Sequence, residues 1–285
     1  MTIFEAYNST KKKLEKAGIE DYVFEAKQII KHITGFSATQ ILTNYNNKLT
    51  EYQENNLISL IHQREVRYPL QYIFGSWDFY GRSFNVGPGV LVPRADTETV
   101  IEVALDYLKG IKSPEILDLC TGSGCIGITL AKEKEDAKVL MIEKYMEAFR
   151  YTLKNIEGNT AVNAKALMGD VFEKAGAEQQ YDLIVSNPPY IPQSQMSEIS
   201  PETHFEPETA LIAEDNGLEF YKAIINGYTA SLKKGGMMLF EVGIGESEAV
   251  AELLKNAGYC DISVKKDLNG IDRAVSGIIG GIENG

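Results

Sequence analysis

The sequence predicts an α/β protein, a doubly wound sheet preceded by a small helical domain and a β-hairpin connector. Three observations predict it. From Pro114 onward short apolar runs alternate with amphipathic stretches. A glycine-rich turn, Thr121-Gly122-Ser123-Gly124, follows the first of these runs. The run Leu183 to Val185 stops at Asn187-Pro188-Pro189-Tyr190, where two prolines that cannot donate to a sheet ladder end the strand.

The chain opens with helical spacing. Tyr22, Ala26, Ile29, Ile30 and Ile33 mark one apolar stripe and Gly35 its stop. Ser37 with Gln40, and Thr50 with Gln53, read as capping boxes. Residues 1–70 are therefore expected to form a helical domain. From Pro69 to Arg94 the texture becomes aromatic and glycine-punctuated, which predicts a hairpin connector, 71–94, with Trp77 packing it onto a neighbour.

The α/β domain is expected over 95–285. It begins with a helix from Thr97 to Leu108, then a first strand Ile116 to Leu119 and a helix through Ala131. Lys138 to Ile142 is the second strand, closed by Glu143, with a helix from Met146 to Ile156. Lys165 to Met168 is the third, ending in Gly169-Asp170. After the fourth, which ends at Asn187, a long loop leads to about Asn216 and a helix to Leu232. Met237 to Val242, a helix from Glu246 to Ala257, Ile262 to Lys265 and Arg273 to Ile278 complete the set.

Composition narrows the function. A formal net charge of -12 counts against gripping duplex DNA through its phosphates. Cys120, Cys125 and Cys260 give neither an even disulfide set nor a CxxC pair, and His32, His62 and His204 are scattered, so no metal site is expected. Small buried loop residues is the simpler reading of Cys120 and Cys125, in a reduced, cytoplasmic setting. No run of eighteen apolar residues and no leader pattern occurs, so neither a membrane span nor a signal peptide is expected.

The chemistry-bearing residues gather at carboxyl ends of strands, where open α/β sheets bind ligands. A glycine turn after the first strand and an acidic residue closing the second suit an adenosine-containing cofactor. Gly122 and Gly124 let main chain approach it, and Glu143 can accept from both ribose hydroxyls. Asp170 could accept from an adenine amino group while Val171 packs on the ring. Taken singly, Glu143 and Asp170 fit a solvated strand end equally well; their joint placement favours binding. The turn lacks both the dinucleotide fingerprint and a P-loop lysine, which favours a ligand without a pyrophosphate. At the fourth strand the Asn187 side-chain carbonyl and the Pro188 main-chain carbonyl can converge on one planar NH2 group, with Pro189 fixing the turn and Tyr190 supplying a flat wall. Alone, Asn-Pro-Pro also fits a rigid turn.

Together these residues resemble the S-adenosylmethionine-dependent amino-methyltransferases, through Asp118 to Gly124 and Asn187 to Tyr190. Pro69-Leu70-Gln71-Tyr72-Ile73, Phe79-Tyr80-Gly81 and Val90-Leu91-Val92-Pro93-Arg94 narrow the resemblance to the HemK/PrmC family, the release factor N5-glutamine methyltransferases. Glu206-Pro207, Ala210-Leu211, Gly217-Leu218, Glu241-Val242-Gly243 and Asp272-Arg273 continue it.

The resemblance implies a Rossmann-like class I methyltransferase domain and a substrate-recognising helical domain. It implies methyl transfer to the side-chain amide of the glutamine in the Gly-Gly-Gln motif of bacterial peptide chain release factors. It places the cofactor on Cys120, Thr121, Gly122, Ser123, Gly124, Glu143, Asp170, Val171 and Asn187. The substrate falls on Asn187, Pro188, Pro189 and Tyr190, with Asn187, Pro188 and Tyr190 catalytic. The chain is expected to act as a monomer, with no stable nucleic-acid partner. The rival is an amino-methyltransferase of ribosomal RNA or DNA adenine using the same Asn-Pro-Pro-Tyr site. Cys120 stands where the family usually has glycine, Glu143 where it has aspartate, and Glu246 where it has glutamine.

Overall fold

The computed structural model describes residues 1–173 and 180–280, so 281–285, the end of the expected 95–285 domain, and 174–179 lie outside it. Two compact units emerge: residues 1–75 with 200–205, and residues 76–199 with 206–285.

The first unit is helical: α1 (Ile3–Lys16), α2 (Tyr22–Thr34), α3 (Ala38–Thr43), α4 (Glu51–Glu65) and α5 (Leu70–Phe74). Capping boxes open α1, α3 and α4 at Thr2/Glu5, Ser37/Gln40 and Thr50/Gln53, and Gly35 ends α2 in the left-handed conformation. Ala26, Ile29 and Ile30 of the stripe are buried with Leu14, Leu57 and Ile61. The sequence reads Pro69 as the start of the hairpin connector, but Leu70–Phe74 is a helical turn with Pro69 before it and left-handed Gly75 after it. Proline pre-sets φ at such a start, and the glycine supplies the stop.

The second unit opens with the hairpin β1 (Ser76–Phe79) and β2 (Arg82–Asn85), paired Phe79 to Arg82 across Tyr80-Gly81. Both turn residues have positive φ, 48° and 71°, the conformation that two-residue hairpins require. Then come α6 (Glu98–Tyr107), β3 (Glu115–Leu119), α7 (Cys125–Glu133), β4 (Lys138–Glu143), α8 (Met146–Gly158), β5 (Ala164–Met168) and β6 (Tyr181–Ser186). Two short pieces, β7 (Ile191–Pro192) and β8 (Ile212–Ala213), pair within the stretch the sequence reads as loop. The chain continues through α9 (Glu219–Tyr228), β9 (Leu232–Glu241), α10 (Ser247–Asn256), β10 (Tyr259–Lys266) and β11 (Asp272–Ile279).

Among the described residues the main sheet has seven strands in the order β10-β11-β9-β6-β3-β4-β5. The five from β9 to β5 are parallel, while β10 and β11 close the edge antiparallel. The sequence reads α9 to Leu232 and the next strand from Met237; instead α9 stops at Tyr228 and β9 starts at Leu232. Lys233-Lys234-Gly235-Gly236 hides the strand, because the ladder with β6 shifts register there and the glycine pair breaks the apolar run.

Strand alternation splits the core in two. Leu183, Val185, Met237 and Leu239 face one side, packed with Val100, Ile101 and Leu130 of α6 and α7. Ile184, Met238 and Phe240 face the other, packed with Tyr221, Ile224, Val250 and Leu254 of α9 and α10. No helix of the described residues is long and apolar enough to cross a membrane.

Candidate active site

The turn after β3 is built around Asp118, which is fully buried. One of its carboxylate oxygens accepts from the Thr121 hydroxyl and from the Gly127 amide, at 3.0 Å for the latter. Burial pushes this carboxyl up to about 7, against the pull of those two donors. Gly124 holds φ at 82°, and a Cβ there would lie 2.8 Å from Ile128 Cδ1, so neither its conformation nor its space admits a side chain. Gly127, an ordinary helical position, is limited by space alone, since an added Cβ would meet the Met141 side chain at 2.6 Å.

Glu143, at the end of β4, holds the turn from outside. Its two oxygens accept from the Gly122 and Tyr145 amides, each at 2.9 Å. Desolvation raises its pKa in spite of these bonds. Each oxygen retains a free lone pair, so the carboxylate can still accept from a ligand hydroxyl. The turn's carbonyls are fixed by α8: Thr152 donates to Gly122 O at 2.7 Å and Asn155 to Ser123 O at 2.9 Å. Asn155 also donates to Asn85 O and accepts from Asn85 N, tying the turn to the hairpin. The sequence reading missed Thr152 and Asn155; two polar residues on the helix's inward stripe are the signal that could have found them.

Asp170 follows β5. Its carboxyl loses stability as an anion through desolvation, but the Lys144 ammonium at 2.7 Å and the Phe172 amide at 3.1 Å hold it below its ordinary value. The thiols are electrostatically idle: burial raises both, Cys125 to about 12. No cluster of three His, Cys, Asp or Glu able to hold a metal occurs among the described residues.

These elements line a cleft open to solvent. Cys120, Thr121, Gly122, Ser123, Glu143, Asp170, Val171, Asn187 and Pro189 line it; Gly124, Pro188 and Tyr190 are not in its lining. Gly124 sits behind the turn it shapes. Pro188 is buried, and Tyr190 is half-buried, packed beside Gly243 with its phenol raised by burial. The opposite wall is a pair of segments joined by Glu206, whose carboxylate accepts from the Val92 amide at 2.9 Å and from the Arg94 guanidinium. Val92, Arg94, Pro207 and Thr209 all line the cleft, a wall not read from sequence.

The acidic strand ends at Glu143 and Asp170 suit a cationic cofactor. At the far end from Asp170, Asn187 can present its carbonyl to an amino group.

Comparison with known proteins agrees. Residues 5–75 match the family described as PrmC N-terminal domain, and residues 94–206 the one described as Methyltransferase small domain. A release factor glutamine methyltransferase of Geobacter sulfurreducens is 36% identical over 98% of this chain and 97% of its own. One of Thermodesulfovibrio yellowstonii is 37% identical over 88% of this chain and 90% of its own. Among solved structures, the hMettl16 catalytic domain in complex with an RNA hairpin has a TM-score of 0.57 at 16% identity, covering 82% of each chain. The Thermus thermophilus 16S rRNA N2 G1207 methyltransferase has a TM-score of 0.53 at 22% identity, over 72% of this chain and 49% of that one. The structural likenesses carry the class I methyltransferase fold alone. Matched along nearly its whole length at more than a third identity, the chain belongs to the release factor glutamine methyltransferase family.

Proposed function

We propose that this protein transfers a methyl group from S-adenosylmethionine to the side-chain amide nitrogen of the glutamine in the Gly-Gly-Gln motif of bacterial peptide chain release factors. The observation that carries the reading is Asn187, with Pro189, at the carboxyl end of β6 in the lining of a cleft that Gly122 and Glu143 also line. Family membership supplies the substrate.

S-adenosylmethionine, when bound, supplies an electrophilic methyl group on a sulfonium. Glu143 accepts from the ribose hydroxyls, Asp170 and Val171 take the adenine, and residues 120–124 wrap the rest through main-chain groups. The Asn187 Oδ1 and the Pro188 carbonyl each accept one N–H of the substrate amide, with Pro189 holding the turn and Tyr190 backing it. An amide nitrogen is a poor nucleophile, so the contribution of these acceptors is orientation in a site that excludes water. Held this way, the nitrogen lone pair would be aimed at the methyl group that the cofactor supplies. Once methylated, the amide nitrogen would give up its proton to solvent, so the site calls on no His or Cys base.

The helical unit is the part that recognises the release factor. The protein acts in the cytoplasm as a monomer, without a stable nucleic-acid partner. Ribosomal RNA or DNA adenine as substrate is not favoured, because a net charge of -12 opposes phosphate binding. The test is labelled-methyl transfer from S-adenosylmethionine to a purified bacterial release factor, beside the same factor with its Gly-Gly-Gln glutamine changed to alanine. Label on the first alone is expected. Label on neither, with cofactor bound, overturns the substrate assignment.

A further inference from the structure

An asparagine that must present its carbonyl to a substrate amide has a wrong way round, with its NH2 pointing at the substrate's NH2. Something has to choose between the two. The geometry points to Glu241 as the positioning residue that accepts from Asn187 Nδ2 and so turns Asn187 Oδ1 toward the substrate.

The placement comes from the sheet. β6 and β9 are parallel with Ser186 opposite Phe240, so Asn187, just past β6, and Glu241, the last residue of β9 and still paired with Ala274 of β11, stand next to one another at the carboxyl edge of the sheet. Leu183 and Val185 lie on the same face as Met237 and Leu239, and two-residue alternation carries both Asn187 and Glu241 onto that face. Glu241 is 1% exposed, and its Oε2 has no hydrogen-bond partner. An orphaned oxygen on a buried carboxylate is costly, which calls for a role. Arg273, whose charge reaches Glu241, pairs through Nη2 with Asp96 at 3.2 Å and Asp267 at 3.5 Å, while its buried Nε has no hydrogen-bond partner. Thr97, which lines the cleft with Asn187, lies against Glu241. Bonds of this kind commonly close only in the loaded enzyme.

An ionised carboxylate is an acceptor only, so it can meet the Asn187 amide in one orientation alone. A neutral carboxylic acid or a glutamine can donate as well as accept and tolerates both. Burial raises the Glu241 carboxyl to about 7, opposed by Thr97 and Arg273, raised further by Asp96 and lowered by Arg94. Its field also reaches the Cys125 thiol and the Tyr190 and Tyr221 phenols, all protonated near neutrality. The selective state is thus the one above neutrality, and turnover should fall as pH drops through about 7.

The proposal rests on the function proposed above, and the experiment separates the two. Glu241→Gln keeps size and packing. It is expected to lower kcat about tenfold, leave KM for the release factor and cofactor affinity within about twofold, and abolish the acid limb of the wild-type kcat profile. In an Asn187→Ala background, Glu241→Gln should change kcat no further. The Asn187 side-chain amide, followed by ¹⁵N NMR in the cofactor-loaded protein, should titrate with Glu241 in the wild type and not in Glu241→Gln. That readout needs no turnover and stands whatever the methyl acceptor is. A Glu241→Gln enzyme with wild-type kcat and an unchanged limb overturns the proposal, as does a loss of equal size in the Asn187→Ala background or an Asn187 amide indifferent to Glu241. No methyl transfer by the wild type, with the NMR coupling intact, overturns only the function reading.

Discussion

Glu143 Oε2 accepts a hydrogen bond from the Gly122 amide at 2.9 Å, so the residue proposed to read the ribose also holds the turn proposed to face the cofactor. Removing it disturbs both. Glu143→Ala is expected to weaken S-adenosylmethionine binding about 10- to 100-fold, the worth of one or two hydrogen bonds to a charged group. Calorimetric titration checks it, and unchanged affinity removes Glu143 from the cofactor site.

Asn187 is a prediction about rate. Without its oriented acceptor the substrate nitrogen is no longer aimed, and Asn187→Ala should cut kcat by about 10²-fold or more while cofactor affinity changes little. Single-turnover methyl transfer at saturating cofactor measures this directly. Near-normal turnover would place the orienting acceptors elsewhere.

Cys120 holds φ at 56°, in the left-handed region that costs an ordinary residue about 1–2 kcal/mol. Glycine escapes that cost but is freer in the unfolded chain by about 0.5–1 kcal/mol. Comparing two variants that both lose the thiol isolates the backbone: Cys120→Gly is expected to be more stable than Cys120→Ala by about 1 kcal/mol, the reverse of an ordinary site. Denaturant midpoints of the two variants decide it.

Arg64 is the buried ion of the helical unit, with its side chain 3% exposed. It donates to Glu25 at 2.6 and 2.9 Å and to Glu202 at 2.6 Å, and Arg67 joins it on Glu202 at 2.8 Å. Arg64→Ala leaves Glu25 without its cation and Glu202 with Arg67 alone, and should destabilise this unit by about 3 kcal/mol. Urea unfolding followed by a probe within residues 1–75 tests it, and a shift under about 1 kcal/mol would show that the network contributes little.

What was legible in the sequence was what local chemistry dictates. Capping pairs at Thr50/Gln53 and Ser37/Gln40, the stop at Pro188-Pro189 and the strand ends at Glu143 and Asp170 depend on a few neighbouring residues. What was hidden depended on distant ones. That Ser200–Phe205 belongs with the helical unit is decided by Glu202 meeting Arg64, 138 positions earlier. The cleft wall is decided by Glu206 meeting Val92 and Arg94. The start of β9 was masked because Gly235 and Gly236 interrupt it at a register shift that only the partner strand reveals.

Glu246, at the start of α10, carries the last prediction. Its Oε2 accepts from the Gly243 amide at 3.0 Å and from the Tyr221 hydroxyl at 3.3 Å, and burial raises it to about 7 from an ordinary 4.5. For an acid whose folded pKa is raised, the unfolded chain ionises first. The stability it contributes is complete below about 4.5 and is lost as pH rises through about 7. Glu246→Gln preserves a carbonyl oxygen for both donors and cannot ionise. It should match the wild type at pH 5 and exceed it by about 1 kcal/mol at pH 8, the linkage value reduced for a group that is only partly buried. Thermal melts at the two pH values check it. Equal gains at both would mean that packing rather than charge separates the variants, and no gain at pH 8 would mean that the Glu246 carboxylate is better solvated than its setting between Gly217, Gly243 and Tyr221 implies.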